Sequence, residues 1–286
     1  MKKLRNTHPI LFCILCSVIA IVLLYVVPAL YILSFSSGLL PLSLVAGKGM
    51  WYAMIIADLA VSIFILLVMR ACNIMEILNK KTAGIKKCLL VPLPVLLFDF
   101  LALIIQILIF SGDSPVPSID RTLTFLLSNF LVGFAEEVLF RGVVSTTLLE
   151  FFGTERDGIF KACFLSSLFF GLLHLTNYSG GNPTGVIMQV LATFGSGVLY
   201  CAIYFRTGNL WLLIFIHALE DIYAGVSELF STGGTQGIED AVARINSYSA
   251  VLLIPTAASL LLGLFLLRKS KMEEVKQLWS QESHLS

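Results

Sequence analysis

The chain predicts an all-α fold: a polytopic bundle of about eight transmembrane helices with both termini in the cytoplasm. Three observations lead there. Of its 286 residues, 57% are hydrophobic and only 13% charged, about half the charged share of an ordinary soluble domain. Apolar windows of about 20 residues, long enough to cross a bilayer core, recur along the chain. Lys and Arg crowd into alternate connections, as the positive-inside rule requires.

The first window, 9–35, follows the basic start Lys2, Lys3 and Arg5. Its apolar stretch runs past Tyr25 with no small-residue cleavage site, so it reads as a retained helix rather than a secretory signal. Pro9 suits a first helical turn, and Pro28 predicts a kink near the far end. Further windows span 51–69, 89–110, 122–149, 160–177, 185–205, 209–230 and 248–267. With a cytoplasmic amino terminus, the inner segments hold Lys2, Lys3, Arg5, Arg70, Lys80, Lys81, Lys86, Lys87, Arg156, Lys161, Arg206, Arg268, Lys269, Lys271 and Lys276. These are 15 of the 19 Lys and Arg. Lys48, Arg121 and Arg244 fall outside, and Arg141 falls within the membrane.

No long polar linker divides the chain, so residues 1–286 read as one integral-membrane domain. Segment 231–247 is the most polar outer connection and reads as mobile, and 268–286 reads as a charged cytoplasmic tail. The net charge of +1 says nothing about nucleic acid, but no basic cluster is interleaved with aromatics as a nucleic-acid groove requires, so no nucleic-acid partner is expected. The partners that remain are the lipid bilayer and molecules that reach it. Cys13 and Cys16 form a C-x-x-C, but no second pair or nearby His completes a metal site. With Cys72, Cys88, Cys163 and Cys201 they read as small packing residues. The chain has no Gly-rich phosphate loop, no internal repeat and no H-E-x-x-H helix.

Chemistry enters with ionisable residues inside the spans, which cost about 2.5–3.5 kcal/mol each near the midplane and therefore face a protein interior. In the fourth window, Glu137 and Arg141 are four residues apart and share a helix face, so they pair. Glu136 lies about 100° round the helix and is free to address other helices. A purely structural ion network is the alternative, but a second glutamate adds cost without adding stability. In the fifth window, His174 follows Phe170 by four residues, so the two rings stack. In the seventh, Asp221 follows His217 at the same spacing and is placed to accept an imidazole N–H and fix its tautomer. At about 1.5 Å per residue, Glu136, His174 and His217 lie about 21, 21 and 12 Å from the ends of their windows. All three fall in the middle third of a core roughly 30 Å thick.

One acid and two imidazoles at a common depth have two chemical readings. In one, Glu136 and His174 deprotonate a water that attacks an amide carbonyl, while His217 donates to the oxyanion. In the other, Glu136, His174 and His217 ligate Zn²⁺, which lowers the pKa of its water to about 7. The missing H-x-x-x-H spacing favours the reading that requires no metal cofactor. Two other classes share such constellations: a proton-coupled transporter, against which stands the lack of paired repeats, and a non-proteolytic membrane partner or regulator.

The segments EEVLFR, FGLLH and HALED, in this order, resemble the EExxxR, FxxxH and Hxxx(N/D) motifs of the CPBP family of intramembrane proteases. That family includes the CAAX prenyl endopeptidases and the bacteriocin-processing or self-immunity (Abi) proteins. The resemblance covers residues 120–230. It implies a multi-pass peptide-bond hydrolase, by extension in a bacterial plasma membrane, acting on a membrane-associated or hydrophobic peptide or protein. Glu136 and His174 would activate the water, Glu137 and Arg141 would support them, and His217 and Asp221 would face the oxyanion. The family is commonly labelled metalloprotease, although a glutamate mechanism without metal is better argued for it. Asp221 departs from the Asn of eukaryotic-type CAAX proteases. A carboxylate donates no hydrogen bond unless protonated, so Asp221 is expected to orient His217. This favours the bacteriocin-immunity or peptide-processing branch over prenyl-CAAX processing. Asp58, Asp99, Gln106, Asn129 and Gln189 are further polar residues within the spans.

Overall fold

The apolar windows become helices in the computed structural model, which describes residues 1–37, 49–80, 82–112, 115–178, 183–230 and 253–280. The polar segment 231–247 lies outside the described residues. In chain order the helices are α1 (Lys2–Thr7), α2 (Pro9–Ser36), α3 (Gly49–Cys72), α4 (Ile85–Leu90), α5 (Leu93–Ser111) and α6 (Ile119–Glu137). They continue with α7 (Thr146–Phe152), α8 (Arg156–Leu173), α9 (Pro183–Thr207), α10 (Leu210–Phe230), α11 (Leu253–Leu266) and α12 (Met272–Ser280). No strand occurs among them.

Among the described residues, seven helical stretches are long and apolar enough to cross a membrane. The pair α11 and α12, bent by 53°, makes an eighth if counted as one span. All eight expected windows therefore carry helix. The longest stretch, Ile119–Phe152, is continuous because a π-helical segment, Val138–Ser145, joins α6 to α7. Wider π turns leave ladder groups in need of other partners, and in lipid those partners must come from protein. Here hydroxyls serve: Ser166 Oγ donates to the Phe140 carbonyl at 2.9 Å and Ser145 Oγ to that of Arg141 at 2.6 Å. Thr146 Oγ1 donates to the Gly142 carbonyl.

The π segment is the centre of the core. Val138, Leu139, Phe140, Val143 and Val144 are all buried, packed with residues of α8 and α9 such as Cys163, Val198 and Cys201. At the edge, α5 leaves Leu97, Leu101, Ile104 and Leu108 exposed, as a lipid-facing helix does.

Two contacts position the site. Gly133 in α6 lies against the backbone of α10, where an added Cβ would stand 3.1 Å from both the Ala218 nitrogen and the Ile214 oxygen. Any side chain at this position would push the α10 backbone away by a few tenths of an ångström. On the other flank, the α3 residue Trp51 packs on Phe125 of α6 with ring centroids 5.6 Å apart.

The charged tail packs back on the bundle. Met272, Val275 and Trp279 form a buried stripe on α12, and Trp279 Nε1 donates to the Phe205 carbonyl at 2.9 Å. Glu274 pairs with Lys87 at 2.7 Å and Lys271 at 2.6 Å. The helix is amphipathic, and its apolar face finds the end of α9.

Candidate functional site

Glu136 and Glu137 close α6 at the point where the π segment begins, and Arg141 lies one turn into it. Arg141 Nη1 donates to Glu137 Oε1 at 2.8 Å, and both side chains are essentially inaccessible (1% and 0%). The expected ion pair therefore forms, although the helix carrying it is wider than an α-helix. The guanidinium is further enclosed by aromatic faces, 4.5 Å from the Phe170 centroid and 5.4 Å from that of Tyr200. Such stacking suits the weakly hydrated, planar cation.

Across the α6–α10 contact made possible by Gly133, His217 Nδ1 lies 2.7 Å from the same Glu137 Oε1. A carboxylate can only accept, so Nδ1 carries the proton and Nε2 is the edge turned toward the site. Here the structure corrects the sequence-based expectation for Asp221. Its Oδ2 stands 3.7 Å from His217 Nε2, beyond hydrogen-bond range, and Glu137 is the carboxylate bonded to the imidazole. An i, i+4 spacing brings side chains near each other but does not select which nitrogen they address.

Glu136 points to the same imidazole edge, with Oε2 at 3.5 Å from His217 Nε2. His174 reaches the group through an aromatic spacer. Phe170 packs edge-on against His174 (5.1 Å between centroids) and against His217 (6.1 Å), so one ring separates and orients both imidazoles. His174 Nδ1 lies 3.0 Å from the Phe170 carbonyl. Because that oxygen can only accept, Nδ1 is the donor and Nε2 keeps a lone pair. Five of the six motif side chains thus share one connected set of charged contacts, and His174 adjoins it across Phe170.

Three things escaped sequence reasoning. The π segment gave no compositional signal. Tyr200 packs 5.8 Å from His217, and its hydroxyl donates to Glu220, the residue beside Asp221. Tyr200 stands outside the motifs and Glu220 fills a variable position of HALED, although a buried tyrosine next to an acidic residue was a usable cue. Of the remaining intramembrane polar groups, Asn129 donates to its own helix at the Phe125 carbonyl and Gln189 accepts from Asn177. Asp99 is buried, with Oδ2 lacking a hydrogen-bond partner among the described residues.

The zinc reading does not fit this arrangement. Among the described residues no three His, Cys, Asp or Glu side chains are gathered as a metal would need. The Nδ1 bond to Glu137 leaves His217 Nε2 free to ligate, so what separates the set is the Phe170 ring packed between the two imidazoles.

The family model described as type II CAAX prenyl endopeptidase Rce1-like matches residues 118–223. Comparison with curated proteins and with solved structures returned no match. The matched stretch runs from the start of α6 into α10 and carries Glu136, Glu137, Arg141, His174, His217 and Asp221, whereas α2, α3 and α5 lie outside it. It supports a CAAX-type intramembrane endopeptidase, with a bilayer around it and a membrane-associated peptide substrate. Over residues 118–223 the chain is similar to the Rce1-like, CAAX protease family.

Proposed function

We propose that the protein is an intramembrane endopeptidase that hydrolyses a peptide bond of a membrane-associated or hydrophobic peptide, using a water activated by Glu136 and His174. The observation that carries this reading is the coupling of Arg141, Glu137 and His217 through one carboxylate oxygen, at 2.8 and 2.7 Å. A structural ion pair needs only the first contact. The second holds an imidazole with its Nε2 edge toward Glu136, which is an arrangement for handling a proton.

In this proposal Glu136 removes the proton of a water that adds to the scissile carbonyl, and the His174 Nε2 lone pair holds that water in line. His217, in its imidazolium form, donates from Nε2 to the oxyanion while Glu137 keeps its ring from turning. The proton taken up by Glu136 then passes to the leaving amine, so the site returns to its starting state. Arg141 touches no reactant and fixes Glu137. Asp221, lacking a donor where the CAAX-processing branch has Asn, faces the same imidazole edge. We infer the bacteriocin-immunity or peptide-processing branch from that difference, with both termini cytoplasmic in a bacterial plasma membrane.

Comparative peptidomics of membranes holding wild-type or Glu136→Ala protein tests the reading. Peptides that appear only with the wild type, at equal protein levels, are the expected result. Identical peptide sets overturn it.

A further inference from the structure

Glu137 Oε1 holds His217 at one corner, the Nδ1 nitrogen at 2.7 Å. One hydrogen bond leaves a ring free to pivot, so an imidazole that must present its other edge to a reactant also needs walls. Two aromatic rings stand against it, Phe170 of α8 with centroids 6.1 Å apart and Tyr200 of α9 at 5.8 Å. The same two rings stand against the Arg141 guanidinium, at 4.5 and 5.4 Å. Both donors to Glu137 are therefore walled by one pair of rings.

The sequence brings α9 close enough for this. Gly197 packs on α8, where an added Cβ would stand 3.1 Å from Ser167 Cβ and 3.3 Å from Phe170 Cδ1, and its carbonyl lies 3.5 Å from Arg141 Nη2. Tyr200 comes three residues later and shares that face of α9. A phenylalanine would fill such a buried position without further need, whereas a phenol at 2% exposure is costly until it is hydrogen-bonded. The Tyr200 hydroxyl does not turn to its own helix for that bond. It donates to Glu220, on α10 and three residues beyond His217. Tyr200 thus touches α10 twice, its ring at His217 and its hydroxyl at Glu220. We propose that Tyr200, tethered through Glu220, is a positioning residue for the hydrolysis, a brace from α9 that keeps the Nε2 edge of His217 turned toward Glu136.

The brace rests on the endopeptidase reading above and deepens it. Tyr200 touches no reactant and moves no proton. A ring kept only for packing would act on stability, while a ring that aims His217 acts on the chemical step, because the imidazole must meet the oxyanion as charge develops there. Losing the brace is therefore a loss in kcat, with substrate affinity left nearly as it was.

Turnover of one peptide cut by the wild type, measured in lipid nanodiscs, tests the brace. Tyr200→Leu removes ring and tether, and kcat should fall by about a hundredfold, the scale of a misplacement of about 1 Å, with KM within about threefold. Tyr200→Phe keeps the ring and its volume, and kcat should fall by about tenfold, the scale of one hydrogen bond to a charged group. Glu220→Leu, which leaves the phenol without its acceptor, should match Tyr200→Phe, and Glu220→Gln, whose amide oxygen accepts, should regain most of that loss. Nitrogen NMR of protein labelled at histidine reads the ring directly, and the His217 signals should shift in both Tyr200 variants. Wild-type kcat in either folded Tyr200 variant, a loss confined to KM, or a Glu220→Gln variant no better than Glu220→Leu overturns the brace alone. Unchanged His217 signals overturn it whatever is cut. An absence of Glu136-dependent cleavage by the wild type overturns the endopeptidase reading and the brace's part in it.

Discussion

Replacing Glu137 with Gln separates the structural from the chemical use of the buried carboxylate. Oε1 of Glu137 serves both Arg141 Nη1 at 2.8 Å and His217 Nδ1 at 2.7 Å, with neither ion-pair side chain more than 1% exposed. The amide keeps the shape but removes the charge, leaving a guanidinium buried without its counter-ion. Breaking such a pair from one side costs about 3–5 kcal/mol. Removing both charges in Glu137→Gln/Arg141→Met leaves no orphaned ion, and apolar replacement of buried pairs is often neutral in stability. Unfolding of the purified proteins in mixed micelles, followed by far-ultraviolet circular dichroism, should show a large loss for the single variant and substantial recovery for the double. Activity should not recover, because a neutral amide no longer supports the His217 imidazolium as the carboxylate does. Equal stability of Glu137→Gln and wild type, or an active double variant, would refute the reasoning.

Gly133→Val should cost activity by about a hundredfold, the scale of a 1 Å misplacement, because the new side chain meets α10 backbone at 3.1 Å; wild-type turnover of any peptide cut by the protein would contradict this. Chelator treatment of the purified enzyme should leave cleavage unchanged, whereas loss reversed by added Zn²⁺ would reinstate the metal reading. At the tail, bonds from Lys271 and Lys87 hold the Glu274 carboxyl down at about 2 against an ordinary 4.5. A depressed carboxyl stabilises the docked form above its unfolded value and loses that contribution as pH falls from about 4.5 through 2. Trp279 fluorescence in a Trp51→Phe/Trp211→Phe background should report undocking across that interval in wild type and a flatter profile in Glu274→Gln.

Much of the bundle was legible because a bilayer imposes one simple demand, an apolar stretch of fixed length, and each window met it within a few residues. Within a helix the site was legible too: Glu137 with Arg141, and Phe170 with His174, follow from i, i+4 geometry alone. The bond from Glu137 to His217 crosses 80 residues and depends on the close approach at Gly133, which no local spacing encodes. Asp221 was misassigned for the same reason, since a carboxylate on the neighbouring helix out-competes the one on its own. The π segment was invisible because its freed carbonyls are answered by hydroxyls such as Ser166, 26 residues away. Docking of the tail could have been anticipated from Met272, Val275 and Trp279, whose spacing marks one helix face even among charges.

The most direct test of the shared water is a comparison of Glu136→Ala, His174→Ala and the double variant in reconstituted protein with an identified cleaved peptide. If both groups act on one solvent molecule, each single change abolishes cleavage and the double is no worse than either, because groups that work as a unit are not additive. Full activity of either folded single variant would contradict the account.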